Sequence, residues 1–191
     1  MITTRILPAV LLCASAFIVS SCAPKAPETS SSVQAQKVFD QTLTNTEKEF
    51  VSLVGAMPED KFGFAPTAGK FDGVRTFGQQ AKHAAFVLNE LSAVLLGEST
   101  PPTGAHENGP DELTGKDQIL QYVKDAFAHA HRGVATITND NLLEQTVDPF
   151  NAKGKRARVD TVGVMSSHTF DHYGQMVVYA RMNGIVPPAS Q

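Results

Sequence analysis

The sequence predicts an all-α fold, a four-helix bundle with one long crossover loop, preceded by a segment that belongs to export rather than to the fold. Three observations carry this. Four stretches between Val38 and Asn183 place apolar residues at intervals of three and four, the period of a helix buried on one face. The segment Glu98–Gly115 between the second and third stretches is crowded with Pro and Gly, and is long enough to cross the end of a bundle. Before all of them, Ile6 to Val19 is almost wholly apolar and ends in Ser20-Ser21-Cys22.

That opening has the order of a secretory signal: a charged start at Arg5, an apolar run too short for the ~20 residues of a membrane span, then small residues. Small residues directly before Cys22 also resemble the site at which bacterial lipoproteins are cut and acylated. Residues 1–21 are therefore expected to be a lipoprotein signal, with Cys22 lipidated and the mature chain anchored in the cell envelope, at the periplasmic face or the outer membrane. Ala23 in the next position favours onward sorting to an outer membrane. Cys13 lies inside the apolar run and would be discarded. The mature fold then has no disulfide, no thiol nucleophile and no cysteine ligand for a metal. Residues 22–36, rich in Pro, Ser and Ala, read as a tether.

The remaining residues, 37–191, suffice for one domain with one core. The first helix is expected from Val38 to Ala56, with Phe39, Leu43, Phe50, Leu53 and Val54 on one face and Pro58 as its stop. The second runs from Arg75 to Leu96, striped by Ala84, Val87, Leu88, Leu91, Val94 and Leu95 and ended by Gly97. The third runs from Lys116 to Ile137, with Ile119, Val123, Ala126, Ala130, Val134 and Ile137 on its face. A short turn or hairpin is expected within Phe150–Arg158. The fourth helix then runs from Asp160 to Asn183, before Gly184 and Pro187. With a net charge of −3 and no basic run beyond Lys153–Arg158, nucleic acid is not an expected partner.

Chemistry is expected on the last helix. At 100° per residue, Met165, His172, Met176 and Tyr179 share a band with His168 at its edge, the face that points into the bundle. His168 and His172 are therefore i, i+4 neighbours on an apolar face, a spacing that lets two imidazoles grip one transition metal. Read alone, such a pair is equally compatible with two hydrogen-bonded core histidines. A third ligand must come from another helix. His83, at the edge of the second helix's stripe, is the only histidine there. His129 and His131 lie on the flanks of the third helix and His106 in the loop, where solvated surface histidines explain all three.

The string His168-Thr-Phe-Asp-His172-Tyr-Gly174-Gln175 resembles the H-x-x-x-H-x-G-Q signature in the last helix of DinB-like proteins. The ending Tyr179-Ala-Arg181-Met-Asn-Gly184-Ile-Val-Pro187-Pro188 is similar to that family's Y-x-R-x-x-G-x-x-P-P tail. Val74-Arg75-Thr76 through Lys82-His83 looks like its second helix, and Met57–Lys61 with Phe64-Ala-Pro66 like the turn after its first. The likeness spans Val38 to Pro188. It implies a four-helix bundle with the crossover between helices two and three, a site of His83, His168 and His172, and a monomer or homodimer. The chain departs from many members at Asp171, where they carry a further histidine, and at Tyr173, where they carry arginine.

Three neutral imidazoles leave a coordination position open, which suits a catalytic metal that acidifies water better than a closed structural one. Zinc is the first expectation; nickel, iron or cobalt would also accept imidazole. Glu90, Asp171 and Gln175 are candidates for orienting ligands or moving protons, Glu90 foremost because it lies seven residues beyond His83 on the same face. The resemblance implies a metal-dependent hydrolase or a transferase of low-molecular-weight thiols, acting on a small-molecule substrate. Those thiols are cytosolic, so export favours the hydrolase. The alternative is a non-catalytic envelope module that binds a metal or small ligand. A polar group near the open position would favour an enzyme, and walls of Met and Phe alone would favour a binder.

Overall fold

A computed structural model describes residues 34–66, 73–101 and 107–191. Within them lie α1 (Ala35–Ala56), α2 (Phe77–Leu96), α3 (Lys116–Ala135), a hairpin of β1 (Gln145–Asp148) and β2 (Asn151–Ala157), and α4 (Arg158–Met182). The expected signal, Cys22, most of the tether and His106 lie outside the described residues.

The helix ends follow from local chemistry. Thr76 caps α2: its hydroxyl accepts from the Gln79 amide while the Gln79 side chain accepts from the Thr76 amide, satisfying two orphan donors at once. This cap places the start two residues after the Arg75 expected from periodicity. Gly97, in the left-handed region at φ 72°, closes the other end. α1 begins at Ala35 rather than Val38, because the Ala35 amide donates to Asn139 Oδ1 at 2.8 Å. Ala35 and Gln36, expected in the tether, are thus helical. α4 starts at Arg158, directly off β2, and not at Asp160.

The path of the chain explains the long loop. α2 and α3 run parallel: Gly78 packs on Ile119 near one end, and Gly133 packs on Ser92 and Leu95 near the other. A return across the whole bundle is therefore needed between Leu96 and Lys116. α1 opposes α3, with Lys116 Nζ donating to the Gly55 carbonyl at one end and Ala35 meeting Asn139 at the other. α4 opposes α2, joined by Tyr179 Oη to the Arg75 carbonyl and by Arg158 to the Leu95 carbonyl. Helices one and four thus run one way and two and three the other.

The core is a single cluster drawn from all four helices, in which Phe50, Phe77, Phe127, Leu43, Leu88, Leu91, Met165 and Met176 are fully buried. α2 is the central element: sixteen of its twenty residues are buried, because α3, α4 and the loop cover most of its circumference. The apolar stripe expected there is therefore too narrow. The hairpin also departs from expectation, since β1 starts at Gln145, five residues earlier, and pairs antiparallel with β2 in the register Val147 to Lys155.

Candidate metal centre

His83 stands in the first half of α2, and His168 and His172 stand one turn apart on the facing side of α4. Because these two helices are packed antiparallel, their side chains converge. The ring centroids lie 5.1 Å (His83–His168), 4.7 Å (His83–His172) and 4.4 Å (His168–His172) apart. One nitrogen from each ring falls within 4.8 Å of the others, the only such cluster of His, Cys, Asp or Glu among the described residues. The His168 and His172 Nε2 atoms are 3.1 Å apart. Two imidazoles bound at ordinary zinc distances in a tetrahedron hold their nitrogens about 3.3 Å apart, so the spacing fits one shared ion.

Two of the rings are held in one tautomer from behind. His172 Nδ1 donates to Gln80 Oε1 at 2.5 Å, Gln80 Nε2 donates to Gln175 Oε1 at 2.9 Å, and Gln175 Nε2 donates to Asp171 Oδ2 at 3.0 Å. The relay runs one way, from imidazole through two amides to a carboxylate. It fixes the proton on Nδ1 and leaves the Nε2 lone pair facing the cluster, the arrangement commonly found behind metal-bound histidine. His83 Nδ1 donates to the Glu107 carbonyl and is fixed in the same sense. His168 Nδ1 is buried without a partner among the described residues, so within them this ring has only its Nε2 side in use.

All three imidazoles are kept neutral. Burial, then the nearby His83, lowers His168 to about 4; burial, then His168, lowers His172 to about 3. Burial likewise lowers His83, against the pull of the Glu107 carbonyl. Neutral rings keep the lone pairs that a metal needs. The Arg75 guanidinium adds to the effect on all three. It is held by Asn108 Oδ1 at 2.7 Å and faces the Glu107 carboxylate at 3.9 Å.

The crossover loop fastens this side of α2. Glu107 takes His83, Asn108 takes Arg75, and the Pro110 carbonyl accepts from Lys82 Nζ at 2.8 Å. Gly109, between them at φ 71°, lies so close that a Cβ there would stand 2.6 Å from Lys82 Cβ.

Of the further candidates, Asp171 and Gln175 join the relay behind His172. Glu90 does not join the cluster. It is a buried carboxyl two turns further along α2, pushed up to about 7 by burial, and its charge is felt by Tyr122 of α3. His129 and His131 are not merely solvated: His129 bridges Asn89 on α2 and Glu98 just past its end, and His131 bridges Asp40 and Glu47 on α1. Gln80, Arg75 and Glu107 are site residues that the sequence reading passes over. Gln80 lies three residues before His83, a helical spacing that could have drawn attention to it.

A four-helix bundle with three histidines converging from its second and fourth helices defines the class. The model of the DinB superfamily matches residues 42–176, and the chain belongs to that superfamily. Among solved structures it is similar to a DinB-like protein from Bacillus cereus ATCC 10987, with 16% identity and a TM-score of 0.63 over 81% of this chain and 96% of that one. At that identity the likeness speaks for the fold. No curated protein matches the chain.

Proposed function

We propose that this chain is an exported, lipid-anchored member of the DinB superfamily that binds one divalent transition metal, zinc first, through His83, His168 and His172, and works as a metal-dependent hydrolase. The observation that carries the metal is the convergence of three neutral imidazoles, two of them fixed with Nδ1 protonated. Nickel, iron or cobalt would fit the same donor set. Bound there, the ion would supply a Lewis acid with a coordination position left over.

The chain's own residues would do the rest. Gln80, Gln175 and Asp171 hold His172 in place. Arg75, beside His83, favours an anionic group in the neighbourhood of the cluster. The surroundings include amides, a guanidinium and carboxylates, not Met and Phe walls alone, and this supports an enzyme over the non-catalytic module. Export and anchoring rest on the sequence before residue 23. Mass spectrometry of the mature chain is expected to find an acylated Cys22 at its start. A hydrolase panel on the zinc-loaded chain is expected to find a substrate whose turnover is lost in His172→Ala and kept in His129→Ala. An unmodified Cys22 would remove the anchor, and turnover surviving in His172→Ala would remove the metal from the reaction.

A further inference from the structure

The bundle has one end at which the start of α1 and the hairpin lie together. The Ala35 amide is bonded to Asn139, just past α3. The base of the hairpin is pinned to the same end, because Arg158 reaches the Leu95 and Thr136 carbonyls at the ends of α2 and α3. Of the eight exposed large apolar side chains among the described residues, Val38, Leu143, Val147 and Phe150 belong to this end; Leu143 is 78% exposed and Val147 63%.

The hairpin sorts its charges by face. Residues paired directly across an antiparallel ladder point the same way, and neighbours along a strand point oppositely. Thr146 and Arg156 share one face, where Arg156 meets Asp148 at 3.2 Å and Asp160 at 3.4 Å, so these two acids are taken up. Val147 and Lys155 share the other face, in line with Leu143, while Glu144 at the base has the opposite parity. Lys153 and Lys155 are exposed and have no ion pair among the described residues. Exposed aliphatics beside free lysines suit an interface of acyl chains and anionic headgroups, where each lysine adds to the attraction.

We infer that the outer face of the hairpin, Leu143, Val147, Lys153 and Lys155, seats the bundle on an anionic lipid surface. This rests on the proposed anchor, because Cys22 is what would bring that surface near. Twelve residues, Ala23–Gln34, separate Cys22 from α1, a reach of at most about 45 Å. The tether thus delivers the end that carries the hairpin. His83 lies thirteen residues before the end of α2, so the histidine cluster stands about 20 Å from that end.

The chain contains no tryptophan, so a single Val147→Trp reporter can be read alone. The mature chain would be reconstituted in vesicles of phosphatidylcholine with phosphatidylglycerol carrying nitroxide quenchers, with Ala189→Trp as a reporter on the C-terminal turn. The Val147→Trp reporter is expected to shift to the blue and be quenched, the Ala189→Trp reporter to be unaffected, and Lys153→Glu with Lys155→Glu to abolish the quenching of the Val147→Trp reporter. No quenching at 147, equal quenching at both reporters, or quenching unchanged by the glutamates would overturn the inference. If Cys22 proves unmodified, the anchor fails by itself. The same vesicles added to the free chain then still test the hairpin, and an unshifted Val147→Trp reporter would overturn it.

Discussion

Gln80 decides how His172 presents itself. Its side chain holds the imidazole proton on Nδ1 and is held in turn by Gln175 and Asp171. Removing such a partner commonly lowers metal affinity 10- to 100-fold, and Gln80→Ala is expected to do so in a zinc titration while the helical spectrum stays unchanged. His131 gives a second prediction, about pH. Burial pulls its imidazole down, but the Asp40 and Glu47 carboxylates on its two nitrogens outweigh this and raise it above 6.5. A raised folded value means stability that is fully present below 6.5 and lost as pH rises through the folded value. The advantage of wild type over His131→Gln in urea unfolding should therefore be largest in mild acid and shrink above neutrality. The histidine pair of α4 is legible in the sequence because two imidazoles at i, i+4 on an apolar face break the pattern, and His83 because α2 holds no other histidine. Gln80 is not, since a lone amide on a buried helix has no such signature, and Glu107 acts through its backbone, which no side-chain pattern reports.

The loop from α2 to α3 works as an element of the site. Its length was legible as a crossover, because parallel neighbours cannot be joined by a tight turn. Its grip on α2 was hidden, for it depends on carbonyls of Glu107 and Pro110 and on a glycine that a side chain could not replace. Gly109→Ala meets both a strained φ and a backbone contact, which should cost about 1–3 kcal/mol. Since the loop must lift to admit the methyl group, His83 should lose its carbonyl partner as well. The expected outcome is a lower melting temperature together with weaker zinc binding; a loss of stability alone would separate the loop from the site. The hairpin was placed too late in the sequence, because its exposed Val147 and Leu143 give no inward-facing alternation by which to read β1.

At the scale of the molecule, the antiparallel packing of α2 on α4 brings His83 to a pair more than eighty residues later in the chain. The fold class followed from four periodic stretches and one long loop, while the convergence needed the packed helices themselves. An ion bound only by the folded bundle adds RT ln(1 + [L]/Kd), about 2.7 kcal/mol at a hundredfold excess over Kd. The most direct test is thermal unfolding of zinc-loaded protein, with and without a chelator, for wild type, His172→Ala and His129→Ala. The chelator is expected to lower the melting temperature of wild type and of His129→Ala, and to leave that of His172→Ala nearly unchanged. Coincident curves for wild type with and without chelator, in protein shown to have been loaded with zinc, would contradict the three-histidine metal site.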